Sequence, residues 1–599
     1  MEANNNQGSP DVLGTKSSVD ILMPNRPSEQ YKYLRLGNGM RVLLVSDMEA
    51  DKAAASVDVH VGSSHEPREL PGLAHFLEHM LFQGTDKYPG ENEYSEYVKN
   101  HGGYDNAFTS LTDTNYHLEC SNEGFEGALD RLAQFFICPS FSEDAAEREM
   151  NAVDSEFNQS LQHDGWHFFN LTQMSSLEAS CYNRFDCGNL KTLSEPGIRA
   201  ALLDFHKKWY SANIMSLGIS GKFDLATLEK WAVDKFSAVE NKDVQLPDLG
   251  VPHPFPADHL GKVFKVVPVK DRDLLSLWYV LPNTELDHEH QPIKYLYELI
   301  GHEGENSLLS YLKEQDLALE LATMLDHKMH AFSNLTIQIT LTAKGLERYE
   351  EVLEVTYKYL QMLRDNGPQQ YFFDESKSIG KMRFEFMDRQ RAISTCVGMA
   401  RRVHLFEDSN VDQLIRANYV VETFDKAAVQ ALTEKLCDPA NMNVFVRSHK
   451  FNEQTDQRAP WYDTAYSVTP MSAELRARLL KPQCNQEGKV LGLPPANKLI
   501  PSNFDILPTD EARSAKPILL KRWSHCTDLW FKKDDQFKLP KAIVTLRLYT
   551  NDCLFGLNPR ARVFAHVWEN LQQEQLREFN YMAELAQLTF DITLKCDSV

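Results

Sequence analysis

A strand, a loop and an amphipathic helix follow one another three times in this chain, and that rhythm limits its fold more than any other feature. The strands are AASVDVHVG from Ala54, LLSLWYVLP from Leu274 and AIVTLRLYT from Ala542, each alternating or almost wholly apolar. Behind them come the helix-length stretches Leu73 to Gln83, Ile293 to Lys313 and Ala561 to Glu578. Spacings of about 220 and about 270 residues are those of whole domains in series rather than of solenoid repeats. The expected class is therefore α+β, built from serial related domains.

Two joints delimit them. GVPHPFP, from Gly250, has three prolines in seven residues and can be neither helix nor inner strand. The polar, proline-rich run from Lys481 to Pro517 reads as a connecting arm. The expected order is a polar tail over 1–30, a first domain over 31–249, a second over 257–480, the arm over 481–517 and a partial third domain over 518–599.

A net charge of -23 argues against nucleic-acid binding, which draws on clustered Lys and Arg, and against anionic membranes. The first twenty residues show no basic patch followed by an apolar run, and no apolar stretch of about 18 residues follows. Ten cysteines are scattered without a C-x-x-C pair. The expectation is a cytoplasmic chain with reduced thiols, no membrane insertion and no nucleic-acid partner.

One short stretch, GLAHFLEHMLFQGT from Gly72, carries chemistry. On a helix, His75 and His79 lie one turn apart on one face and can turn a ring nitrogen each toward a single ion. Glu78 lies beside them. The same pattern is also compatible with a core helix that happens to carry histidines. A third ligand on another helix would separate the two readings.

Downstream, PSFSEDAAEREMNAVDSEFNQS supplies a candidate. Ser140 and Glu143 have capping-box spacing, and Glu149, Val153 and Glu156 share one helical face. Two acids on such a face can simply be solvated. The valine between them suggests instead that the face turns inward, where a cation or a histidine would compensate the carboxylates.

Taken together, HFLEH and EREMNAVDSE resemble the inverted-motif zinc peptidases of the pitrilysin and insulysin family, in which H-x-x-E-H is completed by E-x-x-x-x-x-x-E about 80 residues on. The resemblance extends through YPGENEYSEYVKNHGGYDNAFTSLTDTNYHLE, LPPANKLIPSNFDIL and LWFKKDDQFKLPKA, and so covers most of the chain from about Tyr31. It implies mainly antiparallel sheets packed with helices and one Zn2+ per chain. His75, His79 and Glu156 would be its ligands, Glu78 the general base, and Glu149 a carboxylate that orients a ligand histidine. Asn106, Ala107 and Phe108 would lie alongside a peptide on an edge strand. Phe82, Trp166 and Phe169 would be either apolar walls of the peptide site or ordinary core.

That set is what metal-assisted peptide hydrolysis needs. Three protein ligands leave a zinc position for water, and a carboxylate beside it accepts the proton. An edge strand selects extended peptides by strand addition. The expected function is a zinc metalloendopeptidase acting on oligopeptides and small polypeptides. A peptide-binding or regulatory subunit with little turnover is the alternative, because family members have four homologous domains and this sequence stops within the third. A homo-oligomer or a complementary carboxyl-terminal half would then be the partner. LDHEHQP at Leu286 reads as a solvated loop, and IGHEG at Ile300 lacks the spacing for two ligands on one face. In LELATMLDHKMHAF the glycines expected of a family exosite are missing.

Overall fold

Strand β4, Lys52–Val59, is buried at every residue after Lys52. A strand buried on both faces must be covered on both, and the centre of a sheet meets that demand. The computed structural model describes residues 15–26, 28–483, 490–506, 516–524, 527–533, 539–549 and 558–595.

The first sheet contains β1 (Thr15–Asp20), β2 (Glu29–Leu36), β3 (Arg41–Asp47), β4, β5 (Tyr104–Thr109), β6 (Thr114–Ser121) and β7 (Met215–Gly221). Their order is β1-β2-β3-β7-β4-β6-β5. Only β3 and β7 run parallel. The second sheet contains β8 (Lys262–Val266), β9 (Leu274–Leu281), β10 (Ala318–Lys328), β11 (Phe332–Leu341), β12 (Met442–Arg447), β13 (Gln457–Arg458) and β14 (Ala465–Pro470). Its order is β10-β11-β9-β12-β8-β14-β13, with β12 and β8 the parallel pair.

Counted inward from β5 and from β10, the two sheets superpose in pattern. The parallel pair falls at the same place in each, so β4 corresponds to β9 and edge strand β5 to edge strand β10. The repeat legible in the sequence is thus a repeat of topology. One face of the first sheet carries α1 (Leu73–Leu81), and the helix Ala392–Arg402, from the second half of the chain, covers β4 and β7 on the other. Gly218 on β7 permits that approach, since a Cβ there would meet the Cys396 carbonyl oxygen at 2.8 Å.

Four expectations need correction. Part of the polar tail is structural: Thr15–Asp20 pairs with β2 as an outer strand, while 1–14 lie outside the described residues. The downstream helix, α4 (Glu143–Ser160), is capped by Ser142, whose hydroxyl accepts from the Ala145 amide; Ser140 is not the cap. The stretch Ile293 to Lys313 forms two helices, Pro292–Ile300 and Leu308–Glu314. The third quoted strand does not form over Ala542 to Leu548, whose side chains are exposed. With no described neighbouring strand to pair with, its backbone groups have no ladder to join.

A smaller compact unit, Glu303–Glu305, Asp374–Asp388 and Pro495–Val599, is distinct from the remainder. It contains the hairpin β15 (Ile518–Ser524) and β16 (Thr527–Phe531) and the helices Pro559–Gln575 and Arg577–Leu585. Arg577 pairs with Glu303 at 2.9 Å, and the Asn497 amide donates to the Met582 carbonyl at 2.8 Å. Of the arm, residues 484–489 and 507–515 lie outside the described residues, as do 534–538, 550–557 and 596–599 of the third domain. No helix among the described residues is long and apolar enough to cross a membrane.

Candidate metal centre

Helix α1 is buried along its whole length except at His79. Its N-terminus is closed from a distance: the buried Glu66 carboxylate accepts the amides of Gly72 and Ala74, each at 3.0 Å. Burial pushes the Glu66 carboxyl up to about 8, against the pull of those two amides. Gly72 has φ 90 and Gly188 φ 75, and a Cβ on Gly72 would stand 2.2 Å from the Gly188 Cα. Only paired glycines allow so close a crossing. It brings the Cys187 carbonyl to 2.7 Å from His75 Nδ1.

The second histidine is fixed from α4. His79 Nδ1 stands 3.0 Å from Glu149 Oε2. With both Nδ1 atoms donating to oxygen, each neutral ring keeps its Nε2 lone pair free. Those Nε2 atoms lie 3.6 Å (His75) and 3.5 Å (His79) from one oxygen, Glu156 Oε2. The separations are too long for good hydrogen bonds and close to the roughly 3.4 Å edge of a tetrahedron with bonds of about 2.1 Å. Among the described residues, His75, His79 and Glu156 are the only group of three or more such side chains so converging. A zinc ion fits this donor set.

Val153 is fully buried and Glu149 half-buried, so the stripe turns inward at those two residues and opens to solvent at Glu156. Glu156 is the open side of the centre, its side chain 56% exposed, whereas His75 and Glu78 are buried. Without metal, burial lowers the His75 pKa, but the Cys187 side chain and Glu156 outweigh it and hold that pKa well above its ordinary value. Glu149 and Glu156 do the same for His79, again against burial. The Glu156 carboxyl is held far below its usual range, by His75 first and His79 second.

Glu78 accepts the Thr109 hydroxyl at 2.6 Å. Its pKa is raised by burial, with His75 and the Thr109 hydrogen bond working the other way. Thr109 is the last residue of β5, and alternation along that strand assigns the others. Ala107 packs on the core beneath α1 and Asp105 accepts from Ser95 on α2 (Glu93–Asn100), so the odd positions turn toward the helices. Phe108 turns to the opposite face, where the Arg401 guanidinium lies 5.1 Å from its ring centre. Asn106 is exposed on that same face.

The three aromatic candidates part company. Phe82 packs edge-on against Tyr94 and Phe135, with ring centres 5.8 Å and 5.2 Å away, as part of the core. Trp166 and Phe169, on α5 (Asp164–Met174), lie 6.2 Å apart, with Trp166 exposed and the Lys328 ammonium over Phe169. In the second domain, His302 of IGHEG is buried and pushed down to about 4 by that burial. His288 of LDHEHQP is half-buried and stacked on Phe406 with ring centres 4.0 Å apart, so that loop is less solvated than its composition implies.

Glu66, Thr109 and the Gly72 and Gly188 crossing are absent from the sequence reading. Thr109 was accessible, being two residues from Ala107 on an alternating strand. The Cys187 carbonyl was not, because any residue type carries a backbone oxygen.

Three family models match in succession: "Insulinase (Peptidase family M16)" over 41–175, "Peptidase M16 inactive domain" over 198–379 and "Middle or third domain of peptidase_M16" over 384–598. The chain belongs to peptidase family M16. Among its M16 relatives, the human insulin-degrading enzyme is 37% identical over 569 residues, covering 94% of this chain and 55% of that protein. The A-factor-processing enzyme of Saccharomyces cerevisiae is 34% identical, with 95% and 55% covered. The crystal structure of pitrilysin matches with a TM-score of 0.83 at 28% identity, covering 96% of this chain and 60% of that one. The chain thus spans little more than half the length of these relatives. The family models do not follow the sheets, for the first ends at 175, before β7 completes the first sheet at Met215–Gly221.

Proposed function

We propose that this chain is a zinc-dependent metalloendopeptidase that hydrolyses oligopeptides and small polypeptides. One observation carries the reading: two imidazoles with occupied Nδ1 atoms turn free Nε2 atoms toward one carboxylate oxygen, with the buried Glu78 beside them. Family membership supports it.

In this reading His75, His79 and Glu156 hold one zinc ion, and Glu149 keeps the His79 ring in its ligating tautomer. Zinc, when bound, supplies Lewis-acid polarisation of water and of the scissile carbonyl. Glu78 takes the proton of the attacking water and later delivers it to the departing amine. Thr109, donating to Glu78 Oε2, keeps that carboxylate aimed and favours its ionised form. Among the described residues strand β5 pairs on one side only, with β6, so its other edge can take a peptide backbone as an added strand at Asn106, Ala107 and Phe108. A cytoplasmic setting is part of the same proposal.

Zinc content measured together with turnover of a quenched fluorescent peptide by the intact chain tests this. One zinc held by His75, His79 and Glu156, with turnover abolished by a chelator, is the expected result. Zinc with peptide binding but no turnover would assign the chain a binding role instead.

A further inference from the structure

A second pair of imidazoles lies where the first domain meets the turn between β10 and β11. His60 directly follows β4, and its Nδ1 stands 2.7 Å from Asp113 Oδ1. His330 occupies the turn, with its Nδ1 2.7 Å from Glu285 Oε2. His60 thus hydrogen-bonds Asp113 through Nδ1 and His330 has the Glu285 carboxylate beside its own Nδ1, which favours a proton on Nδ1 in each ring and leaves the lone pair of a neutral imidazole on Nε2. The two Nε2 atoms face each other at 3.4 Å. Two lone pairs at that separation repel unless a cation, either a proton or a metal ion, lies between them.

The distance favours the metal. A shared proton would draw nitrogens to about 3.0 Å, whereas two metal–imidazole bonds of about 2.1 Å at a tetrahedral angle span roughly 3.4 Å. Both rings are also held in advance. His60 is stacked on His404 with ring centres 4.6 Å apart and planes 12° from parallel. Met329 and His330 take the left-handed conformation in succession, φ 55 and 56, which non-glycine residues rarely do without compensation. Met329 is buried, and its sulfur accepts the Ser64 hydroxyl at 2.9 Å, so the strained turn is docked. Side-chain exposures of 15% for His60 and 36% for His330 leave a path for an ion from solvent.

We propose that His60 and His330 form a second site, for a divalent transition cation such as Zn2+, Cu2+ or Ni2+, that ties the first domain to the β10–β11 turn. Imidazole nitrogen selects such ions over Mg2+ and Ca2+. Water completes the coordination.

The test is metal stoichiometry in the intact chain, stripped with a chelator and titrated with Zn2+ and separately with Co2+. Two equivalents are expected for the unaltered chain. One is expected for His330→Gln, which keeps the ion at His75, His79 and Glu156, and one for Glu156→Gln, which keeps the ion at the turn. Melting temperature should rise on adding the second equivalent to the unaltered chain and not to His330→Gln. If His330→Gln does not fold, as judged by circular dichroism, His60→Gln gives the same reading. Saturation of the unaltered chain at one equivalent, or a second equivalent retained in the histidine variants, would overturn the proposal.

Discussion

The Thr109 hydroxyl donates to Glu78 Oε2 at 2.6 Å and so joins the end of β5 to the middle of α1. One hydrogen bond thus fastens the edge proposed to take a peptide to the carboxylate proposed to accept the proton. Thr109→Val removes a bond that lowers the Glu78 pKa, so that pKa should rise. Fewer chains then carry Glu78 as carboxylate at a given pH, and the acidic limb of the kcat/KM profile should move to higher pH. An unmoved limb would show that the hydroxyl has no hold on Glu78.

Glu78→Gln keeps the shape of the side chain and loses its basicity. Zinc content should equal that of the unaltered chain while peptide turnover falls by about 10²–10⁴-fold or more. Near-normal turnover would remove Glu78 from the chemistry.

The two acids of α4 should separate cleanly. Glu156→Gln withdraws an oxygen aimed at both Nε2 atoms and should lose the zinc of that centre on dialysis. Glu149→Gln touches only the far nitrogen of His79 and should weaken zinc affinity by about 10–100-fold. Equal retention in both would exclude Glu156 as a ligand.

Zinc uptake should depend on pH with a definite sign. In the metal-free chain His75 and His79 hold protons to higher pH than a free imidazole, while Glu156 stays ionised. Zinc must displace those protons, so affinity should rise with pH through the raised histidine range and level off above it. By the same linkage, the metal-free chain draws stability from these rings that is full below about pH 6.5 and lost as pH climbs through their raised pKa values. Calorimetry in two buffers of different ionisation enthalpy should find net proton release at pH 7, and zero release would contradict the assignment.

Gly72→Ala tests the helix entrance. It places a Cβ against Gly188 at positive φ and should cost more than about 1 kcal/mol in denaturant unfolding while weakening zinc binding. Gly197 has φ 87 with open space around it, so Gly197→Ala incurs the dihedral strain alone and should leave zinc affinity unchanged. Equal effects of the two would mean that the crossing does not position Cys187.

Much of the centre was legible because it rests on side chains at helical spacing. His75, Glu78 and His79 form one motif, and Val153 between Glu149 and Glu156 announced that the second stripe turns inward at its middle. What escaped rests on the backbone or on tertiary approach. The Cys187 carbonyl has no sequence signature, and Glu66 caps α1 from outside the turn where capping signals are sought. The repeated domains were legible as strand, loop and helix, yet β7 returns to the middle of the first sheet from far downstream, which no local pattern announces. Ser140 and Ser142 both satisfy capping chemistry at this helix start, and only the backbone path chooses between them. The strand from Ala542 had the right alternation without a described neighbour to complete it.

Strand β5 has two faces with different owners. Its odd positions look toward the helix that carries Glu78, and Phe108 looks toward Arg401. A polypeptide annealed along this edge would be sampled with a stride of two residues, roughly 6.6 Å, each face reading its own half of the side chains. A slip of one residue exchanges the halves. On the proposed function, preference for a cleavage site would then be a rule about every second residue, and neighbouring bonds in one peptide would present this edge with two unrelated sets of side chains.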